Sequence, residues 1–387
     1  MPARLQFNRR EVAGAFGDIG TDLPIIVGVM LATGVDGAGL LAGFGLAQIA
    51  TGLLYGLPMP VQPLKAMAVI VIAGHASAGL LQLAGLLIGG VMLVLSLTGG
   101  LDRLGRLIPH GVVRGIQAGL GLALARTATS LVAQPHSTWA WTAATVAVAV
   151  LAVLRTSKRV PGALLVVGAA AVWAAVYRVD WPGLRPAVGF AWPHAEPWPW
   201  DQWLTALTLL VLPQLPLSLA NSVIATQQTV RDLFPGREIP LRTIGLTYSG
   251  INLIVPWFGG LPACHGCGGL AGYYALGART GGAVVICGTL YLATGLFFSH
   301  GFTTLVHAFP SPILGAILLV EATVLILLVR DLRASPAALA LAGVVAVLCV
   351  TLPQGYLAGL LAGTACWHLL RRCGLTLAPS PASATGS

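Results

Sequence analysis

Charge is what this sequence has least of: Asp, Glu, Lys and Arg make up 9% of its 387 residues, and lysine occurs only at positions 65 and 158. Ordinary soluble domains carry roughly a quarter charged residues. The chain therefore lacks the polar surface that would cover a water-soluble fold of its length. It also lacks any polar stretch long enough to form a separate domain, which excludes a membrane-anchored soluble enzyme. No small-residue cleavage site follows the short basic start, Met1 to Arg10, and Asp18 and Asp22 interrupt the apolar run behind it, so Met1 is expected to be retained. The six cysteines (Cys264, Cys267, Cys287, Cys349, Cys366 and Cys373) do not form a secreted framework; they lie in or beside apolar segments, and free thiols are expected. Residues 376–387 lack periodicity and read as a disordered tail.

What is present is apolar residue, 56% of the chain, with a mean hydropathy of +0.86. A spanning helix needs about 20 such residues. Apolar runs between charged or Pro/Gly-rich breaks give fourteen expected spans: 11–33, 38–57, 62–75, 79–99, 108–132, 138–154, 160–178, 202–226, 241–257, 264–277, 280–300, 308–329, 334–351 and 353–370. With a cytoplasmic N-terminus, the basic clusters 102–106, 155–159, 231–242, 277–279, 330–333 and 371–372 all fall on the cytoplasmic side. This is the positive-inside pattern of a multi-pass inner (plasma) membrane protein with both termini in the cytoplasm. It accounts for the net charge of +9 without nucleic acid as a partner. The longest external loop, about 179–201, holds Trp181, Trp192, Trp198 and Trp200 and is expected at headgroup level.

Two of the fourteen spans are short, the third of each set of seven, and each follows a Gly/Pro break. The first break runs Gly56-Leu57-Pro58-Met59-Pro60-Val61-Gln62-Pro63-Leu64-Lys65; the second runs Gly259-Gly260-Leu261-Pro262-Ala263-Cys264-His265-Gly266-Cys267-Gly268-Gly269. Upstream, the first span of each half is also polar, with Asp18, Thr21 and Asp22 in one and Gln214, Asn221 and Ser222 in the other. Asp18 precedes Gln62 by 44 positions, and Asn221 precedes His265 by the same 44. An odd number of spans per half places the second repeat in the opposite orientation, and broken helices at matching positions of inverted repeats point to a midplane transport site. A helix that begins inside the membrane exposes unpaired N–H groups and a positive dipole end, which favours an anion. Gly266, Gly268 and Gly269 let such a ligand approach the backbone.

In these residues the chain resembles the bacterial and plant molybdate transporter family, relatives of the sulfate permeases that lack their cytoplasmic regulatory domain. The matching stretches are Glu11 to Pro24 (EVAGAFGDIGTDLP), Pro58 to Lys65 (PMPVQPLK), Ile108 to Gly121 (IPHGVVRGIQAGLG), Pro213 to Ala225 (PQLPLSLANSVIA) and Pro262 to Gly281 (PACHGCGGLAGYYALGARTG). Asp22 and Leu64 depart from the pattern, where a less polar residue and a methionine are expected. The resemblance implies an all-α fold of seven-plus-seven inverted repeats. Its core would comprise spans 1–4 (1–100) and 8–11 (201–300), and its gate spans 5–7 (101–200) and 12–14 (301–375). It implies molybdate as cargo, tungstate as a mimic, and no cofactor or resident metal, molybdenum entering only as the oxyanion.

The expected substrate-binding residues are Thr21, Gln62, Lys65, Gln214, Asn221, Ser222, His265, Gly266, Gly268 and Gly269. Neutral donors such as Gln62, Asn221 and Ser222 suit oxyanion oxygens, although some will cap helices or bridge spans. Lys65 either supplies positive charge to the anion or snorkels to an interface. His265 either donates or titrates at the second helix start, or makes a structural hydrogen bond. Asp18 and Glu321 are intramembrane acids. The first either carries a coupling proton, holds the broken helix or lies at an interface; the second either functions or pairs with Arg114 or Arg126. Arg279 reads as a topology determinant. The pair Cys264 and Cys267 is a weak redox or zinc signal without further partners, and thiol packing is expected. A nucleobase carrier of this architecture tends to place a glutamate in the eighth span, where this chain has no acid. A sulfate carrier, a passive anion channel and a homodimer stay open.

Overall fold

The computed structural model of the protein describes residues 5–74, 76–134, 137–154, 162–179, 181–184, 188–352 and 354–373. Each expected span corresponds to a helical segment. Spans 1 to 7 are Ile19–Thr33, Gly37–Tyr55, Lys65–Ile72, Ala78–Thr98, His110–Ala133, Thr138–Leu154 and Gly162–Tyr177. Spans 8 to 14 are Trp200–Leu233, Leu241–Ile254, Cys267–Ala275, Gly282–Ala308, Ser311–Leu327, Pro336–Thr351 and Gly355–Arg372. Six helices among the described residues are long and apolar enough to cross a membrane by length and composition. Spans 3 and 10, with 8 and 9 residues, reach only partway.

The helix partners reveal the repeat. Span 2 packs along span 11, and span 4 along span 9; span 5 packs on spans 12 and 13, and span 12 on span 6. Replacing each span by the one seven places along maps these pairs onto one another, as a pseudo-two-fold axis in the membrane plane requires. Between spans 2 and 11 the contact is close because Gly45 and Gly288 each face the other's carbonyl, where a side chain would collide. Gly56 (φ 61°) and Gly259 (φ 79°) occupy equivalent places, each turning the chain through the left-handed region just ahead of its break.

The two breaks pair with each other. Gln62–Pro63 and Ala263–Cys264 form a two-stranded antiparallel sheet, with Gln62 opposite Cys264 and Pro63 opposite Ala263. Side chains from the neighbouring spans hold these strands deep in the fold. Asn252 donates to the carbonyl of Ala263 (2.6 Å) and accepts from its amide (3.0 Å), and Thr51 donates to the carbonyl of Met59 (3.1 Å). Non-helical backbone at this depth is tolerable because it is enclosed by protein and bonded.

Two features add to the sequence expectation. The tryptophan loop does more than lie at an interface. Its residues 188–200 lie across spans 4, 9 and 11: Gly189 and Ala191 donate to the carbonyls of Phe297 (3.0 Å) and Leu296 (2.8 Å), and Trp198 packs edge-on against Trp257 at 4.6 Å. Trp181, Trp192 and Trp200 remain exposed, as a headgroup belt requires. Arg279, read as a topology determinant, marks a cap. Buried Glu11 accepts from the amides of Arg279 (3.0 Å), Thr280 (2.9 Å) and Ala283 (3.1 Å), closing the start of span 11.

Candidate functional site

Span 1 begins with a loose turn, 15–18, because two glycines let it lie directly on span 10. A side chain at Gly14 would strike Ala278, and one at Gly17 would strike the backbone of Gly272. This contact carries Asp18 to the first residues of span 10. There the Gln62 amide nitrogen donates to both carboxylate oxygens of Asp18, at 2.8 and 2.7 Å. Asp18 is 3% exposed and Gln62 equally so. Gly266 faces the Gln62 carboxamide oxygen and Gly269 faces Asp18, each with no room for a Cβ.

The start of span 10 has the open chemistry expected of a half-helix. Among the described residues, the amides of Cys267, Gly268 and Gly269 donate to no backbone carbonyl, and the first two lie beside the Cys267 sulfur. Gly268 is exposed, with nothing within 4 Å of where a Cβ would stand. Asn221 approaches the same turn, its carbonyl oxygen accepting from the Cys267 thiol at 3.0 Å. It lies in a π-helical stretch of span 8, Ser218–Ala225, one of two in that span. Such wide turns leave backbone and side chains off the regular register and recur at functional sites. Ser222, in the same stretch, is buried beside Cys264.

The start of span 3 differs. Gln214 from span 8 accepts from the amides of Ala66 (2.9 Å) and Met67 (3.4 Å) and donates to Ser218 (3.0 Å), which in turn contacts the Tyr248 hydroxyl at 2.8 Å. A side-chain carbonyl thus occupies the first turn where bare amides were expected, and Gln214 acts as the helix cap. Lys65 opens this helix and lines a small cavity with Glu321, Ile25, Val69, Leu124 and Leu325. Glu321 therefore faces Lys65. Arg114, one of its expected partners, is bonded instead to Asp331, as is His110 at 3.0 Å.

Neither ring nitrogen of His265 is free. Nδ1 lies 2.9 Å from the carbonyl of Pro60, which can only accept, so Nδ1 carries the proton and Nε2 accepts from the Thr247 hydroxyl at 2.7 Å. The Tyr55 hydroxyl donates in turn to Thr247 at 2.6 Å. His265 thus clasps one broken stretch to the other. Thr247→Val leaves Nε2 without a donor in a fully buried ring, a loss of about 1–3 kcal/mol. A lower thermal midpoint in detergent is expected for that variant, with Thr247→Ser near wild type. Equal midpoints for wild type and Thr247→Val would remove His265 from the clasp.

The structure therefore brings Gln62, Asn221, Ser222, His265, Gly266, Gly268 and Gly269 together around the start of span 10, with Asp18 among them and Lys65 and Glu321 to one side. The side chain of Thr21 lies outside the described residues. Sequence reading passed over Thr51, Thr247 and Asn252, whose signal was polarity inside otherwise apolar spans.

Solved structures share this architecture. The transmembrane domain of a cyanobacterium bicarbonate transporter, BicA, superposes with a TM-score of 0.70 at 16% identity, covering 92% of this chain and 99% of that one. The murine anion transporter Slc26a9 in its inward-facing state gives 0.69 at 13% identity, over 95% of this chain and 69% of that one. Closer in sequence are Molybdate transporter 2 of Arabidopsis thaliana, 31% identical over 84% of this chain and 79% of the relative, and Molybdate transporter 1 of Chlamydomonas reinhardtii, 28% identical over 92% and 91%. The family model described as "Molybdate transporter of MFS superfamily" matches residues 10–124 and 206–325. The superfamily in that description has two six-span halves, whereas the halves here have seven and are inverted. With matches in both repeats and across most of two relatives, the chain belongs to the molybdate transporter family.

Proposed function

We propose that the protein is a secondary active carrier that moves molybdate across the cytoplasmic membrane by alternating access, holding the anion at the start of span 10. The observation that carries this reading is the run of amides at Cys267, Gly268 and Gly269 that meet no backbone carbonyl among the described residues, with the side chains of Gln62 and Asn221 beside them. A helix start of this kind attracts an oxyanion through oriented N–H groups and the helix dipole. Gln62 and Asn221 add hydrogen-bonding groups without fixing a counter-charge that would trap the ligand. Spans 1–4 and 8–11 form the moving core and spans 5–7 and 12–14 the gate. Basic loops place both termini in the cytoplasm. Tungstate, with the same shape and charge as molybdate, is accepted at the same place.

The test is uptake of labelled molybdate into proteoliposomes, with tungstate, sulfate and uracil as competitors. Competition by tungstate at the lowest concentration and accumulation above the external level are expected. Stronger competition by sulfate or uracil would reassign the cargo, and equilibration without accumulation would make the protein a channel.

A further inference from the structure

Asp22 is the acid that the proposed anion site does not use. It lies one helical turn beyond Asp18 in span 1, is 2% exposed, and its Oδ1 has no hydrogen-bond partner among the described residues. Its carboxyl lies beside that of Asp18, and two carboxyls bond each other only when one holds a proton. Asp18 already receives the Gln62 amide on both oxygens, the arrangement that suits an ionised carboxylate. Asp22 has no such donor. The charged groups about it are Asp18 in span 1, Lys65 in span 3 and Glu321 in span 12, and the uncharged phenols of Tyr273 in span 10 and Tyr291 in span 11 and the thiol of Cys287 in span 11 also lie near. Cys264 in the second strand also feels it. Phenols and thiols are ordinarily neutral at pH 7, so three carboxylates face one ammonium. A divalent anion entering beside three ionised acids would meet uncompensated like charge.

Resting on the carrier reading above, we infer that Asp22 is the proton-binding residue of this transporter: it takes up one proton when the anion binds and releases it when the anion leaves. Protonated, Asp22 donates to the Asp18 carboxylate and removes one negative charge beside the anion. Anion and proton then travel together, entering from the side where both are plentiful and leaving on the other.

The experiment is molybdate addition to the purified protein in weakly buffered detergent solution with a pH indicator. Wild type is expected to take up about one proton per anion bound, and its affinity to fall by up to about tenfold per pH unit as pH rises. Asp22→Asn, a fixed mimic of the protonated form, is expected to take up none and to bind with an affinity that no longer follows pH. Proton uptake by Asp22→Asn equal to that of wild type overturns the assignment, as does molybdate binding by wild type without proton uptake. The second result needs no variant and stands even if Asp22→Asn does not fold. If wild type binds no molybdate at any pH, the carrier reading fails separately. Potentiometric titration of the anion-free proteins then decides, Asp22→Asn being expected to titrate one proton fewer than wild type; an equal count overturns the proposal.

Discussion

Molybdate binding is expected to collapse in Gly266→Ala, although the change adds a single methyl group at a backbone position with ordinary dihedral angles. A Cβ there would fall on the carboxamide oxygen of Gln62. Gln62 must then swing away, and both of its bonds to Asp18 are lost. Overpacking of this kind costs about 1–3 kcal/mol, which corresponds to about 10- to 100-fold in affinity if it falls on the ligand-bound state. Gln62→Ala is expected to do the same by deleting the donor. Gly268→Ala separates a disturbed scaffold from a blocked ligand, since nothing stands within 4 Å of the added methyl. That protein should fold as wild type yet bind more weakly, because the methyl enters the space in front of the open amides. Titration of the three purified variants with molybdate reads the result. Wild-type affinity in both Gly266→Ala and Gln62→Ala would show that the anion lies elsewhere. Loss in Gly266→Ala with none in Gly268→Ala would move it away from the span 10 amides.

The largest stability effect is expected far from the anion, at Glu11. Its carboxylate is 1% exposed and closes three amides at the start of span 11, tying the short helix Arg9–Gly14 to that span. Glu11→Ala leaves these three donors unmet where water has little access, and each buried donor left unsatisfied costs about 1–3 kcal/mol. Glu11→Gln keeps one acceptor oxygen and should recover part of the loss. Thermal unfolding in detergent, followed by size-exclusion, ranks the three proteins as wild type, then Glu11→Gln, then Glu11→Ala. A midpoint for Glu11→Ala within error of wild type would mean that the cap contributes nothing to the fold.

The broken spans were legible because proline and glycine act locally. A run such as Pro58-Met59-Pro60 cannot continue a helix whatever surrounds it. The equal spacing of Asp18 to Gln62 and Asn221 to His265 was visible for the same reason, since a repeat conserves chain length between its parts. What the sequence does not contain is the choice each polar group makes among partners at similar distance. Gln214 has a carbonyl and an amide, so the residue type fits a ligand donor and a helix cap alike; only the approach of span 8 to span 3 selects the cap. Glu321 could be matched to Arg114 by charge alone, but Asp331 stands nearer that guanidinium and leaves Glu321 to Lys65. His265 was readable as a polar group at a helix start. Its engagement on both nitrogens depends on Thr247 and Pro60, which lie on other elements.

The strand pairing of Gln62–Pro63 with Ala263–Cys264 has a mechanical consequence. Leu64 donates across it to Pro262 at 3.1 Å, and His265 reaches back to Pro60, so the joint is stitched from both ends. Two jaws hinged apart from each other would have to tear those stitches in every cycle. A bead that keeps its shape while its surroundings slide past would not. In a carrier of the kind proposed, the ligand's immediate contacts would then be the same whichever face of the bilayer is open, and any difference in affinity between the two faces would have to come from water, protons and the neighbouring wall.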